Sequence, residues 1–363
     1  MRKIILILSF FLLPLSGCGR VWAETRPIRE LRIIGTVGCD LAPEGTALSV
    51  CASKPTLRAR EAAPTARLAM DRLCEQAASP ALFFAHTQYL LAGRALAETD
   101  LAPLLDLTAR SADMRIATPL FLLQNGDAAD AVLAGDEERD ATEMLTALQE
   151  EITQRGESHA FQCGEILLAL AERGTALAAA CTWDGSALRP FGYGVLVDGQ
   201  CVDWIGLPES RAVDLLLALG GRGDVPLDGA TVTILSSDAE IAPRWEGETL
   251  AAAEIRLSLR AELTETDGRT DGTSDAGRRA LERALARQVQ GWTIGLLRRS
   301  QALGADFLDL GGMLASGDPV RFARVRDGWE ARFPSLPVEV TVTAELDRTQ
   351  DLQQPVPQTG GAQ

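Results

Sequence analysis

The stretch RRALERALARQVQGWTIGLLRRSQAL, residues 278–303, predicts a long helix that is buried along one side. Its apolar residues recur at spacings of four, four, three and four, at Leu281, Leu285, Val289, Trp292 and Leu296. Residues three and four apart lie on one face of an α-helix, so these side chains form a continuous apolar stripe. The stripe requires a partner surface, and the neighbouring sequence indicates that this surface is a sheet.

Sequence typical of β-strands precedes and follows this helix. Residues 231–236 and an unusually long run at 249–263 come before it. After it, a second predicted helix at 318–332 leads to the strand PVEVTVTAEL at 337–346, in which valines alternate with polar residues. A period of two is typical of a strand with one buried face. We therefore expect a C-terminal domain in which an antiparallel sheet packs with long helices.

In the first half of the chain, predicted strands and helices alternate, as they do in a mixed α/β domain. The clearest element is the hairpin PFGYGVLVDGQCVDWIG, which contains the favoured two-residue turn Asp198-Gly199. The Gly-rich and Pro-rich stretch GGRGDVPLDGA follows it and indicates a domain boundary. The prediction is an α+β chain with an N-terminal region at 24–225, which has room for two subdomains, a C-terminal domain at 226–349 and a disordered tail at 350–363.

The beginning of the chain resembles a lipoprotein signal peptide ending at Cys18. A positively charged start, MRK, precedes an apolar run at residues 4–15. This run is too short for a membrane-spanning helix, which takes about twenty residues, but it has the length of a signal-peptide core. The following LSGC, residues 15–18, resembles a bacterial lipobox, in which the cysteine receives diacylglycerol and becomes the mature N-terminus. The alternative is an ordinary signal peptide with an accidental cysteine at its end.

The charge of the chain excludes several classes of partner. The 363 residues carry a formal net charge of −15. Proteins that bind nucleic acid rely on Lys and Arg to neutralise phosphates, so we expect no nucleic-acid partner. The same acidic net charge disfavours electrostatic binding to an anionic membrane, so the acyl chain on Cys18 is the predicted membrane attachment. No later stretch has the length and hydropathy of a membrane-spanning helix.

Six cysteines follow Cys18, namely Cys39, Cys51, Cys74, Cys163, Cys181 and Cys201. An even number behind a signal peptide permits disulfides, whereas a lone cysteine in a large domain is usually a small buried hydrophobe. Both alternatives remain open from the sequence. No pair has C-x-x-C spacing and the two histidines lie far apart, so we expect no metal site.

The sequence contains none of the familiar local catalytic motifs, and we predict no catalytic residue and no cofactor. His86 lies in the apolar run LFFAHTQYLL, where a structural histidine is favoured over a catalytic one, and His159 is assigned no role. Arg222-Gly223-Asp224 spells an adhesion tripeptide but is interpreted as part of the linker. The spacing of Asp267, Asp271 and Asp275 does not match an EF-hand, so we interpret this segment as a solvated loop.

Three stretches form a series along the mature chain. The first is LRIIGTVGCDLAPEGTALSV at 31–50 with LFFAH at 82–86, the second is YGVLVDGQCVDWIGLPESRAVDLLLAL at 193–219, and the third runs from 281 to 349. In order and content they resemble the Ger(x)C family, the lipoprotein C subunits of spore germination receptors. The most telling parts are His86, the helix exit at Gln301 and Ala305-Asp306-Phe307, and Trp329 with Phe333.

This resemblance implies a non-enzymatic subunit that is lipid-anchored at Cys18 on the outer face of the spore's inner membrane. It implies two integral membrane partners, the A and B subunits, and a small nutrient germinant at the level of the complex. The family carries no assigned catalytic residue, so the acylated cysteine is the only site that is transferred.

Two other functions are weighed against this one. A lipid-anchored solute-binding protein of a transporter should show two similar α/β lobes joined by crossing strands, and the second half of this chain departs from that alternation. A cell-wall hydrolase would use a pair of carboxylates roughly 5–10 Å apart. Trp292 and Trp329, however, are interpreted as packing residues rather than as a sugar-binding platform.

Overall fold

The fold is described by a computed structural model. The described residues are 30–52, 57–77, 81–134, 139–220, 222–267, 270, 272 and 274–347. The predicted signal peptide with Cys18 and the predicted tail at 350–363 lie outside these ranges.

The N-terminal region is built on an eight-stranded mixed sheet. In spatial order its strands are β10 (Gln200–Gly206), β9 (Leu188–Val197), β8 (Thr175–Trp183), β7 (Leu120–Leu123), β6 (Tyr89–Ala92), β2 (Thr36–Ala42), β3 (Gly45–Ala52) and β4 (Leu57–Ala63). The central strands β2, β6, β7 and β8 are parallel, and the outer strands pair antiparallel. Beside this sheet, β1 (Leu31–Ile33) pairs in parallel with β5 (Ala81–Phe83).

Helices cover both faces of this sheet, because its central strands are apolar on both sides. In β6, Leu90 packs into one core and Leu91 into the other. Parallel strands that are buried on both faces have this continuous apolar sequence. One face carries α1 (Ala66–Ala77), α3 (Ala102–Arg110) and α6 (Cys163–Arg173), and the other carries α4 (Ala128–Val132) and α5 (Ala141–Arg155). The short helices α2 (Arg94–Ala97) and α7 (Ser210–Leu216) complete the region.

The C-terminal region is a four-stranded sheet packed against one long helix, α8 (Asp275–Leu303). The strands are β11 (Gly223–Leu227), β12 (Ala230–Glu246), β13 (Thr249–Thr266) and β14 (Val338–Asp347), in that order. The predicted apolar stripe of α8 is confirmed: Leu281, Leu285, Val289 and Leu296 are buried, and Trp292 packs against the same cores.

The C-terminal sheet is mixed rather than purely antiparallel. Strands β11, β12 and β13 are antiparallel, but β14 pairs with β13 in parallel. The reason is the connection between them, since a strand that returns through a helix lies parallel to the strand that it left. The predicted class, in which helices pack on several sheets of strands, is confirmed.

Several predicted elements have different bounds in the structure. The predicted helix at 318–332 is divided into two short helices, α10 (Pro319–Phe322) and α11 (Trp329–Arg332), with short 3₁₀ turns, and a separate helix, α9 (Leu310–Gly317), precedes them. Pro319 begins α10 and Gly328 directly precedes α11, and the Asp318 side chain caps α10 by accepting from the Arg321 N–H.

The predicted strand through LFFAHTQYLL is divided between β5 and β6. His86 therefore lies in an exposed turn, and its predicted placement in a buried strand is wrong. The predicted linker tripeptide is also part of an element, since Gly223 and Asp224 belong to β11 of the C-terminal sheet.

A single hydrophobic core joins the two sheets, and we call it the joint core. Tyr193 and Val195 of β9 and Val213 of α7 are fully buried in it. They pack with Leu296 of α8 and with Phe307, which follows that helix. Within the described residues, no helix is both long and apolar enough to cross a membrane.

Candidate functional site

A cleft of about 640 Å³ opens between the two sheets, next to the joint core. We call it the interdomain cleft. Its N-terminal wall is formed by the end of α6 and the start of β8, and its C-terminal wall by the exit of α8 and by α9 and α11. The charged and aromatic lining residues are Glu172, Arg173, Asp198, Asp306, Asp309, Phe322, Arg326, Trp329, Glu330 and Phe333. The cleft thus carries both signs of charge around an aromatic floor.

Asp306 organises the C-terminal wall of the cleft. Its carboxylate accepts hydrogen bonds from the backbone N–H groups of Leu310 and Gly311, both at 2.8 Å, and from the indole Nε1 of Trp329 at 2.9 Å. Two of these donors belong to the first turn of α9, where N–H groups have no partner within the helix. Burial raises the pKa of Asp306, and these hydrogen bonds oppose that shift. The side chain is a cap that fixes α9 and Trp329 together.

Trp329 fits the space beside α9 closely. Its ring packs against Phe322 at 5.3 Å and Phe333 at 5.7 Å between ring centroids. A Cβ atom added to Gly311 would lie 2.7 Å from the indole Nε1, so a larger residue at this position would displace the ring. The prediction that Trp329 is a packing residue is confirmed, and its hydrogen bond to Asp306 adds a positioning role.

The exit of α8 is held by its own polar side chains. The Gln301 Nε2 donates to the carbonyl oxygens of Phe333 at 3.1 Å and Leu336 at 2.7 Å. The Ser300 hydroxyl donates to the carbonyl oxygen of Ala305 at 2.5 Å. Gly304 ends the helix in the left-handed conformation, with φ of 65°. These bonds place Asp306 at the mouth of the cleft and connect α8 to the turn that precedes β14.

Several polar contacts cross between the two regions. The Thr175 hydroxyl donates to the carbonyl oxygen of Asp306 at 3.1 Å, and Arg173 pairs with Asp309 at 3.2 Å. Further along α8, the Arg299 guanidinium holds Asp203 of β10 by two hydrogen bonds, one of them 2.7 Å long. Arg–carboxylate pairs of this bidentate kind are among the strongest polar contacts.

A buried tyrosine–aspartate pair lies on the N-terminal side of the joint core. The Tyr193 hydroxyl donates to the carboxylate of Asp214 and accepts from the backbone N–H of His159 at 2.6 Å. Burial raises the pKa of Asp214 to about 7, although the hydrogen bond from Tyr193 and the charge of Arg211 lower it. Arg211 in turn pairs with the buried Glu157 at 3.3 Å.

The remaining sequence candidates do not assemble into a second centre. Asp267 accepts from the backbone N–H of Thr270, Asp275 pairs with Arg278 on α8, and Asp271 lies outside the described residues. Over the ranges that the structure describes, no group of three or more His, Cys, Asp or Glu side chains could hold a metal ion.

The six cysteines after Cys18 are free thiols in the structure. Cys74 is exposed and the other five are buried. Burial raises the pKa of Cys163 and of Cys201 to about 12, so these two are unreactive as nucleophiles at neutral pH. The interpretation as small buried hydrophobes therefore describes five of the six cysteines, and none of the six forms a disulfide in the structure.

The geometry favours contact functions over covalent chemistry. In the cleft, the part-buried carboxylate of Asp306 is occupied by three structural hydrogen bonds. The sequence indicated Asp306 and Trp329 only through the family resemblance. It gave no signal for the pair Tyr193–Asp214 or for the pair Arg299–Asp203, because their partners are distant along the chain.

The comparisons with known proteins agree with these features. A family profile described as "Spore germination B3/ GerAC like, C-terminal" matches residues 191–350. The matched region begins within β9, so it includes the β9–β10 hairpin and α7 together with the whole C-terminal sheet. A search of curated proteins gave no match.

Among solved structures, the crystal structure of the GerBC protein is similar to this chain, with a TM-score of 0.60 and 14% sequence identity. The likeness covers 86% of this chain and 97% of that chain, so both sheets are part of the shared fold. Together with the match of residues 191–350 to the GerAC-like C-terminal model, it confirms the predicted resemblance to the Ger(x)C family of spore germination proteins.

Proposed function

We propose that the chain is the lipid-anchored C subunit of a spore germinant receptor, held on the outer face of the spore's inner membrane through Cys18. The observation that carries the proposal is the match of residues 191–350 to the GerAC-like C-terminal domain, on a fold similar to that of GerBC. In this proposal the chain is non-enzymatic and acts by contact with the A and B integral membrane subunits.

The interdomain cleft is consistent with a contact role. Its exposed charged residues, including Arg326 and Glu330, surround a floor in which the Asp306 carboxylate is already paired with the indole of Trp329. The C-terminal sheet with its long helix also differs from the second α/β lobe that a solute-binding protein of a transporter would have.

The partners are tested by purifying the tagged chain from detergent-solubilised spore membranes of the native host and identifying what comes with it by mass spectrometry. We expect two polytopic membrane subunits in comparable amounts, and neither in an untagged strain. Recovery of a transporter permease and ATPase would instead establish the solute-binding function.

The anchor is tested by Cys18→Ala. We expect the variant to carry no acyl chains by mass spectrometry and to leave the membrane fraction after a high-salt wash. Each buried methylene of an acyl chain contributes about 0.8 kcal/mol of membrane binding, so losing the chains removes most of the attachment. Cys74→Ala is the matched control, because Cys74 is exposed and should not affect fractionation. Acylated Cys18→Ala protein would contradict the assignment.

A further inference from the structure

A second pocket, of about 550 Å³, lies at the edge of the N-terminal sheet where its central parallel strands begin. We call it the amino-edge pocket. Gln88 and Pro119, which line it, directly precede β6 and β7. Its lining residues are Ile33, His86, Thr87, Gln88, Arg115, Ala117, Thr118 and Pro119.

The polar groups of this pocket suit an anion. Arg115 and His86 line it, and none of its eight lining residues is a carboxylate, although the chain as a whole carries a charge of −15. Arg115 has no ion-pair partner in the ranges that the structure describes. A guanidinium offers a fork of N–H donors that matches the geometry of phosphate oxygens.

A buried hydroxyl strengthens this interpretation. Thr87 is only 3% exposed, and its Oγ1 has no hydrogen-bond partner among the described residues. An unpaired buried hydroxyl is unfavourable, so native proteins usually provide it with a partner. An oxygen of a bound anion would supply that partner within the pocket.

Apolar side chains surround the pocket on the protein surface. Ile33 is 46%, Ile116 50% and Leu168 59% exposed. A Cβ built on Gly164 would lie 3.3 Å from Cγ1 of Ile116, and Leu168 is one turn further along the same face of α6. Ile116 lies between Arg115 and Ala117, which line the pocket with Ile33, and we call Ile33, Ile116 and Leu168 the apolar rim. Adjoining exposed apolar residues of this kind mark contact surfaces.

The length of the intervening sequence limits the distance between this surface and the proposed anchor. The described chain begins at Glu30, immediately before β1, and Ile33 of β1 lines the pocket. Residues 19–29 separate Cys18 from this point. At full extension they span at most roughly 40 Å, since each residue adds about 3.5 Å. They contain three Arg and one Glu, which reverses the acidic balance of the whole chain.

We propose that the amino-edge pocket binds the phosphate of an anionic lipid headgroup while the apolar rim contacts the adjoining acyl boundary. The proposal rests on the proposed function, in which the anchor at Cys18 brings a bilayer within reach of this surface. Arg115 and His86 bind the phosphate, Thr87 donates its hydroxyl to it, and the apolar rim distinguishes a lipid from a free phosphate ester.

The test is a calorimetric titration of the purified full chain in neutral detergent. The probes are dihexanoyl phosphatidylglycerol, dihexanoyl phosphatidylcholine, glycerol 3-phosphate and inorganic phosphate. We expect saturable binding of the phosphatidylglycerol, at least tenfold tighter than that of the other three probes. In detergent, binding of the lipid probe does not depend on the membrane in which the chain is anchored. The titration therefore tests the pocket, whereas the pull-down from spore membranes tests the receptor proposal, and either can fail without the other.

Substitutions of the lining residues test whether phosphatidylglycerol binds in the amino-edge pocket. Arg115→Gln and Thr87→Val should each weaken phosphatidylglycerol binding at least tenfold, and the rim variant Leu168→Gln should weaken it several-fold without affecting glycerol 3-phosphate. Arg110→Gln is the matched control, since Arg110 is exposed and pairs with Asp106 outside the pocket. It should bind as the wild type does.

Three outcomes would overturn the proposal. Equal affinity for glycerol 3-phosphate and phosphatidylglycerol would show a phosphate site that is not a lipid site. Phosphatidylglycerol binding that survives Arg115→Gln, with the variant folded by circular dichroism, would place the lipid elsewhere. If none of the probes bound, the pocket would not be a phosphate site, and the receptor proposal would still be tested by the pull-down.

Discussion

Asp306→Ala is expected to lower the free energy of unfolding by about 3–5 kcal/mol, because it leaves buried donors without an acceptor. The carboxylate accepts from Leu310, Gly311 and Trp329, and an alanine accepts from none of them. The change also removes the cap of α9, so we expect the fluorescence of Trp329 to shift as its ring loses its fixed position. Urea unfolding of the full chain in neutral detergent measures the free energy.

Two further variants distinguish the loss of the Asp306 cap from the general effect of removing a negative charge. Asp306→Asn keeps the shape and one carbonyl acceptor, so it should cost less, about 1–3 kcal/mol. Asp327→Ala removes an exposed carboxylate in the same segment, and it should change stability by no more than about 0.5 kcal/mol. If Asp306→Ala were as stable as Asp327→Ala, the capping role of Asp306 would be wrong.

Asp214 is expected to make the protein less stable as the pH rises from about 4 to about 7. Its pKa is about 7 in the folded chain and 3.8 as a model value for the unfolded one. Between these values the folded state holds a proton that the unfolded state releases, so the native state loses stability with increasing pH. The stabilisation is fully present below the pKa of Asp214 in the unfolded chain. It is lost as the pH rises through the pKa of Asp214 in the folded chain. Its size is up to about 4 kcal/mol, at about 1.4 kcal/mol per pH unit.

The measurement compares the urea-unfolding free energy of the wild type with that of Asp214→Asn across pH 4 to 8. Asparagine is neutral throughout and still offers an oxygen to the Tyr193 hydroxyl, so the variant should lack this part of the pH dependence. Asp238→Asn, at an exposed position on β12, should keep the wild-type slope. A constant difference between Asp214→Asn and the wild type over the whole range would refute the buried proton.

A second variant tests the cause of the shift. Tyr193→Phe removes the hydroxyl that donates to the Asp214 carboxylate, and this hydrogen bond favours the charged form. The pKa of Asp214 should therefore rise further, and the loss of stability should continue above pH 7. A slope that ends at a lower pH than in the wild type would contradict this role of Tyr193.

Long periodic elements could be predicted from the sequence, and connections between distant residues could not. The stripe of α8 is a local signal repeated over many turns, so its buried face was predicted correctly. The parallel pairing of β14 was missed, although the helix between β13 and β14 contained the signal for it. The sequence signal for the break in the predicted helix at 318–332 was Gly328, which directly precedes α11.

The site was less predictable because its contacts join residues that are far apart in sequence. Asp306 stood out only by the family resemblance, and the indole that it holds comes 23 residues later. Arg299 and Asp203 are 96 residues apart, and Tyr193 and Asp214 are 21 apart. No periodicity or local motif reports such pairs, so they become visible only when the sheets are assembled.

The joint core has a mechanical consequence for the proposed receptor. Two regions of one chain normally move relative to each other unless the surface between them is large and apolar. Here that surface is a shared core containing Tyr193, Val213, Leu296 and Phe307, reinforced by the bidentate pair Arg299–Asp203. We therefore expect little hinge motion between the two sheets within the part of the chain that the structure describes. In the proposed receptor, a displacement of the N-terminal sheet would then be passed through the joint core to the C-terminal sheet.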